Sequence, residues 1–215
     1  MDDSTNREKV LKKIRASLLS KTDNPYPKLA FDTPLFPGTD EDPLLVFAEK
    51  STQAGVRFFL IENELEFMEG LINFGLEHRW KNILCAEEGL GNLLTECELP
   101  HVISLEEMQE PDVVVSTCEC LVARTGSLIL SSKEQTRNAP AFARTHVVLA
   151  KSSQIALDLK DAFGWLRHKY SKLPSSLTLV TGPSRTADID GEIVIGAHGP
   201  RQLYVFVIDD REESA

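Results

Sequence analysis

The chain has 215 residues, of which 42% are hydrophobic and 26% charged, a balance typical of a globular protein with a sizeable core. Its formal net charge of -10 excludes the basic footprint of a general nucleic-acid binder and disfavours an anionic membrane surface. No apolar run approaches the ~20 residues that cross a bilayer, and the N-terminus lacks the apolar core of a signal peptide. We therefore expect a cytoplasmic protein that binds no nucleic acid and has no membrane span.

Residues 1–38 are predicted to form an N-terminal helix and a proline-rich arm. Thr5 and Glu8 have the spacing of a capping box, and apolar residues then recur at helical spacing, which predicts a helix over about 6–20. Five prolines follow from Pro25 to Pro43 and prevent a regular element. The apolar stripe of the helix is expected to be buried against another surface, and we favour a partner protein or a second copy in a homo-oligomer over the parent domain as that surface.

Residues 39–215 are predicted to form an α/β domain with a mainly parallel sheet flanked by helices. Helices are expected over about 43–53, from Asn63 to about 79, and over 87–96, with strands at "VRFFLI", "NILCA" and "HVI" between and after them. Alternation of strands and helices indicates parallel strands connected by crossover helices.

The second half of the chain is richer in predicted strands. "DVVVSTCECLVARTGSLILSS" predicts two or three strands with a glycine turn at Gly126, and "THVVLA" predicts another. A helix is expected over 152–170, capped by Ser152 or Ser153. Strands at "SLTLVT", "GEIVIGAHG" and "QLYVFVIDD" follow, the last apolar enough to be covered on both faces.

The four cysteines, Cys85, Cys97, Cys118 and Cys120, include only one close pair. Structural zinc and iron–sulfur sites usually show C-x-x-C groupings, and "CEC" at 118–120 is not one. Two thiols one residue apart on a strand share a face and could chelate, but burial as small apolar residues is the favoured interpretation. We therefore expect no metal site and no cofactor in this chain.

Three polar loops follow apolar strands: "ARTGS" at 123–127, "TGPSRTAD" at 181–188 and "GAHGPR" at 196–201. In open α/β sheets, ligands bind beyond the carboxyl ends of the strands. We therefore expect the three loops to line one pocket if those strand ends cluster.

The loop at 181–188 has features of an anion site. Gly182 permits tight backbone geometry, and Ser184 or Thr186 could cap a helical turn whose N–H groups attract an anion. Arg185 could clamp a carboxylate or a phosphate. The alternative is a capped turn in which Arg185 pairs with a following aspartate such as Asp188.

His198 and Glu119 are the candidates for proton transfer. His198 has a side chain of the type that serves as acid or base, and Gly199 beside it allows a ligand to approach, although a hydrogen-bonded structural histidine is the commoner case. Arg201 could clamp an anion or cap a strand end. Glu119 could be a general base or bind a ligand hydroxyl, and a buried acid is rare unless it is paired.

Thr125 and Ser127 place two hydroxyls on either side of Gly126. In the functional interpretation these hydroxyls complete the ligand pocket. The alternative is a hairpin turn with glycine at a positive φ, which needs no function.

At these loops the sequence resembles the lactate-utilisation protein C family, whose members carry the LUD domain. "GPSRTADI" followed by "GAHGPRQLYVFVIDD" is close to the C-terminal signature of that family, and "LVARTGSLIL" resembles a second segment. Arg137 stands where an arginine is usual after that segment. Arg124 departs from the pattern, since the family has an acidic residue there.

The resemblance implies the fold of sugar-phosphate isomerases and coenzyme A transferases, the NagB/RpiA/CoA-transferase-like fold. It also implies a role in oxidising L-lactate to pyruvate with two iron–sulfur partner proteins. Lactate oxidation releases two electrons, and the chain has neither a dinucleotide fingerprint nor a cysteine cluster to accept them. Iron–sulfur clusters are therefore expected only in the partners.

The hypothesis for this chain is that Arg185 or Arg201 holds a small carboxylate or phosphate while His198 exchanges a proton with a neighbouring hydroxyl. The alternative is a stand-alone sensor, isomerase or transferase for a small anion or sugar phosphate. An isomerase or transferase would need a carboxylate as nucleophile or base, for which Glu119 is the first candidate and Asp188 the second.

Overall fold

The structure is a computed structural model that describes residues 5–19, 36, 38–104, 106, 110–133, 143–187 and 191–211. It divides into two units, Met1–Asp40 and Glu41–Ala215. No helix in these described ranges is both long and apolar enough to cross a membrane.

In the first unit, helix α1 spans Asn6–Leu19. It begins with the predicted capping box, in which Thr5 N donates to Glu8 Oε2 at 2.8 Å and Glu8 N donates to Thr5 Oγ1 at 3.4 Å. All of its residues are exposed, including the apolar stripe Val10, Leu11, Ile14, Leu18 and Leu19.

The second unit contains the remaining described elements. In chain order they are α2 (Pro43–Gln53), β1 (Arg57–Ile61), α3 (Glu64–His78), β2 (Ile83–Leu84), α4 (Glu88–Glu96), β3 (Val113–Thr117), β4 (Cys120–Val122), β5 (Ser127–Ser131), β6 (Thr145–Lys151), β7 (Ile155–Ala156), α5 (Leu159–Lys169), β8 (Leu177–Val180), β9 (Arg185–Thr186), β10 (Val194–Ile195) and β11 (Gln202–Ile208).

Five of these strands form an all-parallel sheet in the order β1-β11-β6-β3-β2, which confirms the predicted α/β class. β11 lies inside this sheet and is covered on both faces, as its apolar sequence predicted. On one face Phe206 packs edge-on against Phe67 of α3 at a centroid distance of 5.2 Å. On the other face Val205 and Val207 share a core cluster with Phe47 of α2.

A second, mixed sheet in the order β7-β4-β5-β8 was not predicted as a separate layer. β5 is antiparallel to both β4 and β8, whereas β7 is parallel to β4. Its outer face packs on α5, where Cys120, Val122 and Ile129 meet Ala162 and Leu166. The carboxyl ends of β4 and β8 therefore point the same way and bring their following loops together.

The single helix expected over 152–170 is wrong in its first half. Ser152–Gln154 form a 3₁₀ turn, Ile155 and Ala156 pair with β4 as β7, and the helix begins only at Leu159. Asp158 is the N-cap, since its side chain and that of Asp161 form a reciprocal capping box. Sheet pairing therefore outweighs the helical periodicity of the first few residues.

Candidate functional site

The loops at 181–187 and 196–201 lie at the amino end of the parallel sheet, so the expected carboxyl-end pocket is wrong. Arg185 Nη2 donates to Ala54 O at 3.0 Å, just before β1 begins. Arg201 N donates to Arg144 O at 2.8 Å, just before β6 and β11 begin. The reason is connectivity, because Arg201 precedes the buried strand β11 and the loop at 181 follows a strand of the second sheet.

The hydroxyls around Gly126 bond to one another. Ser127 Oγ donates to Thr125 Oγ1 at 2.8 Å and lies 2.6 Å from Thr181 Oγ1. Gly126 has a φ of 62°, and a Cβ there would collide with the backbone of Lys50 and Ser51 in α2. These contacts fasten the β4–β5 and β8–β9 connections to the end of α2.

Ser184 and Thr186 do not cap a helical turn, because Arg185 and Thr186 pair with β10 as β9. Ser184 N donates to Pro200 O at 2.9 Å, and Ser184 O accepts from Gly196 N at 2.8 Å. The second and third predicted loops are therefore joined by their backbones. A Cβ at Gly182 would collide with Ala54 O, which explains glycine at that position.

The remaining predicted site residues separate in space. His198 is exposed and lines neither of the two cavities defined below, whereas Gly199 packs next to Ser184. Arg137 and Asp188 lie outside the described residues.

Glu119 lies at the opposite, carboxyl edge of the parallel sheet from Arg201. The two edges are separated by about 20 Å, the length of the seven-residue strand β11. Glu119 and Arg201 therefore do not belong to one site.

The Glu119 side chain is only 1% exposed and is fully engaged. Lys169 Nζ donates to its Oε2 at 2.8 Å, while Tyr170 Oη, at 2.7 Å, and Ser131 Oγ both donate to its Oε1. Burial opposes ionisation of Glu119, but these hydrogen bonds outweigh it and lower the pKa of the carboxyl. The result is an ionised carboxylate whose oxygens are occupied, which is a poor general base at neutral pH.

A cavity of about 540 Å³ opens beside Glu119, where β3, β6 and β11 end; we call it the carboxyl-edge cavity. Glu87, which sequence reasoning missed, is fixed there because Thr117 N and Thr117 Oγ1 donate to it at 2.8 and 2.6 Å. Acidic groups outnumber basic ones among the described lining residues, which include Glu64, Glu87, Glu88, Glu119, Lys151 and Lys169. This excess of negative charge disfavours a carboxylate or phosphate ligand.

Arg124, the departure from the resembled family, has a structural partner. Its Nε and Nη2 donate to Asp158 Oδ1 and Oδ2 at 2.5 and 3.3 Å. Because Asp158 caps α5, this ion pair ties the turn after β4 to the start of that helix.

A second cavity of about 240 Å³ lies where β6 and β11 begin; we call it the amino-edge cavity. Its lining combines basic, aromatic and hydroxyl-bearing or amide side chains with one acid: His78, Trp80, Asp112, Arg144, Thr145, Arg201 and Gln202. Asp112 Oδ2 already accepts hydrogen bonds from Lys81 N at 2.9 Å and Asn82 N at 3.1 Å. The amino-edge cavity is therefore the more favourable of the two for an anion.

Arg144 and Arg201 are neighbours on adjacent chain segments at this cavity. They immediately precede Thr145 and Gln202, which are paired in the sheet register. Within the described part of the chain, neither guanidinium has a hydrogen-bond or ion-pair partner. Two positive charges that line one cavity repel each other, and an anion between them relieves this repulsion. The arrangement therefore suits a bidentate oxyanion.

His78 and Trp80 reach the amino-edge cavity through the end of α3. His78 is the last residue of that helix, and Arg79 follows in the left-handed conformation with a φ of 57°. His78 and Trp80 then stack with their ring centroids 5.7 Å apart. The sequence alone singled out neither residue as part of a site, because no local motif marks either one.

Comparison with known proteins shows what part of this chain is similar to. The LUD domain matches residues 104–208, which include Arg144 and Arg201. Lactate utilization protein C of Bacillus licheniformis is 29% identical over 112 residues, which are 50% of this chain and 47% of that protein. An uncharacterized protein of Neisseria meningitidis serogroup B is 35% identical over 98 residues, or 45% of this chain and 42% of that protein. The chain spans about half the length of these curated relatives.

Among solved structures, a DUF162 family protein from Deinococcus radiodurans is similar with a TM-score of 0.59. The match covers 80% of this chain and 99% of that chain, at 19% sequence identity. At this identity the likeness shows the fold alone, an α/β fold with a five-stranded parallel sheet and a second mixed sheet.

Proposed function

Because the chain contains a LUD domain and is a distant homologue of lactate utilization protein C, we propose that it binds L-lactate or a related small 2-hydroxy acid in the amino-edge cavity. The observation that carries this proposal is the pair Arg144 and Arg201, two arginines with neighbouring backbones that both line one small cavity.

The chemistry of a 2-hydroxy acid fits the lining of this cavity. Arg144 and Arg201 would hold the carboxylate, His78 would bond the 2-hydroxyl oxygen, and Trp80 would border the methyl group. The volume of about 240 Å³ is below the ~300–1,000 Å³ of sites for drug-sized ligands, so a ligand of a few heavy atoms suits it and a dinucleotide does not.

We propose that the electrons of lactate oxidation pass to iron–sulfur partner proteins. Metal clusters need thiolate ligands, and burial raises the pKa of Cys85 to about 12 and that of Cys120 to about 11. Burial raises the pKa of Cys118 as well. These three cysteines are thus held as thiols, and the part of this chain is to bind and position the hydroxy acid.

Two further parts of the proposal concern context. We propose that the fold belongs with the NagB/RpiA/CoA-transferase-like group, which the all-parallel sheet with helices on its faces supports. We also propose that the protein acts in the cytoplasm, where its unpaired cysteines would stay reduced.

Isothermal titration with L-lactate tests the proposed site. Arg201→Met and Arg144→Met should each weaken binding at least about tenfold, because each removes a charge-assisted hydrogen bond of about 1.5–3 kcal/mol. Arg167→Met in α5 is the matched control, since Arg167 is exposed and lies outside both cavities.

Unchanged affinity in both cavity variants, or no binding by the unmodified protein, would contradict the proposal. Titration with phosphate at equal ionic strength separates the alternative. Binding of phosphate as tight as that of lactate would favour a general small-anion sensor.

We propose that α1 contacts a partner subunit through its exposed apolar stripe, centred on Ile14. Deleting residues 1–38 should abolish retention by the proposed iron–sulfur partner proteins, without changing the unfolding midpoint of the remaining domain. A pull-down and a thermal melt measure the two outcomes. Retention of the shortened chain would show that the contact lies elsewhere.

A further inference from the structure

Tyr204 lies next to the residues of the amino-edge cavity and is hydrogen-bonded to two side chains. It is fully buried on β11, and its ring is stacked with that of Phe59 and tilted against that of Phe74. Arg57 Nη1 donates to Tyr204 Oη at 2.8 Å, and His78 Nε2 lies 2.8 Å from the same oxygen. Tyr204 thus connects an arginine on β1 to the histidine that lines the cavity.

The donor and acceptor in each of these hydrogen bonds follow from the chemistry of each group. An arginine can only donate, so the Tyr204 oxygen accepts from Arg57. The single Tyr204 O–H must then go to an acceptor, for which the structure offers His78 Nε2 at 2.8 Å and Gln202 Oε1 at 3.4 Å. The shorter distance favours His78.

The opposite arrangement would require the Tyr204 oxygen to accept from both Arg57 and His78. In that arrangement the acceptor left for the Tyr204 O–H is Gln202 Oε1 at 3.4 Å, which is long for an O–H donor, whereas His78 Nε2 lies at 2.8 Å. His78 Nε2 is therefore the acceptor, and the ring proton of neutral His78 is on Nδ1. No described residue is hydrogen-bonded to Nδ1.

We propose that Arg57 and Tyr204 are positioning residues that hold neutral His78 in the Nδ1–H tautomer and so make it a hydrogen-bond donor to the ligand. The part that concerns the ligand rests on the proposed function, whereas the tautomer does not. A donor at this position selects ligands with an acceptor oxygen on C2. Lactate and pyruvate have such an oxygen, and propionate does not.

Nitrogen-15 NMR of the His78 imidazole, assigned with His78→Gln, tests the tautomer without any ligand. At a pH where the ring is neutral, the unmodified protein should show mainly the Nδ1–H tautomer. We call the hydrogen bonds from Arg57 to Tyr204 and from Tyr204 to His78 the relay. Tyr204→Phe keeps the aromatic ring and removes the relay, and Arg57→Met frees the Tyr204 oxygen to accept from His78. Both variants should therefore shift the population toward Nε2–H. A predominantly Nε2–H signal in the unmodified protein would overturn the inference.

Discrimination between lactate and propionate gives the second measurement. The unmodified protein should bind L-lactate about tenfold more tightly than propionate, the worth of one hydrogen bond. Arg57→Met and Tyr204→Phe should reduce this ratio to near one, whereas Arg79→Met, beside His78 but outside the relay, should preserve it.

The outcomes are separable. Absence of lactate binding with the Nδ1–H tautomer present would refute the proposed function and leave the relay standing. An unchanged lactate-to-propionate ratio in both relay variants would refute the role of the relay in selection.

Discussion

Lowering the pH below 6.5 is expected to destabilise the Glu41–Ala215 unit by about 1.4 kcal/mol per pH unit, because of His146. This residue is fully buried on β6, and burial lowers the pKa of its imidazole from 6.5 to about 3. Its Nε2 lies 2.8 Å from Ser116 Oγ, whereas its Nδ1 has no hydrogen-bond partner among the described residues. The ring must therefore remain neutral in the folded protein.

The sign follows from proton linkage. Between pH 6.5 and 3 the unfolded chain binds a proton at His146 that the folded chain does not, so stability falls as the pH falls. Urea unfolding at pH 7.5, 6.5, 5.8 and 5.0 measures the slope. His146→Gln should remove most of it, and His168→Gln, an exposed histidine on α5, should not. Equal slopes in the unmodified protein and His146→Gln would contradict this explanation.

Lys169→Met is expected to cost on the order of 3 kcal/mol in the free energy of unfolding at pH 7.5. The substitution leaves the Glu119 carboxylate buried without its ionic partner, and only Tyr170 and Ser131 remain as donors. Because Lys169 is 39% exposed, water can replace part of the lost interaction. The loss of stability should therefore lie at the lower end of the range for removing one partner of a buried ion pair.

The double variant Glu119→Gln with Lys169→Met distinguishes a buried charge from lost packing. It should be more stable than Lys169→Met alone, because the uncompensated charge is absent. Chemical denaturation of the unmodified protein, the two single variants and the double variant gives the coupling energy between Glu119 and Lys169. Lys172→Met is the exposed control. Strictly additive losses would show that Glu119 and Lys169 do not act as a pair.

Local signals in the sequence predicted much of the fold. Asn63 lies at the start of α3 as expected, with its Oδ1 accepting from Leu65 N and Glu66 N, because a cap depends on residues two or three positions apart. The parallel class followed from the alternation of strands and helices. The second sheet was missed because the apolar patterns of β4 and β5 fit a strand in either layer.

The candidate site depends on strand order, which local patterns do not encode. Arg201 was identified from its loop, but its position at the amino edge follows from its place before β11. The relay was unpredictable for the same reason, since 126 residues separate His78 from Tyr204 and 147 separate Arg57 from Tyr204. The roles expected for Arg137 and Asp188 stay predictions.

A crystal structure of the protein soaked with L-lactate tests the central claim most directly. We predict lactate in the amino-edge cavity, with its carboxylate within hydrogen-bond distance of Arg144 and Arg201 and its hydroxyl beside His78. Lactate bound instead in the carboxyl-edge cavity near Lys151, or an empty amino-edge cavity at saturating lactate, would contradict it.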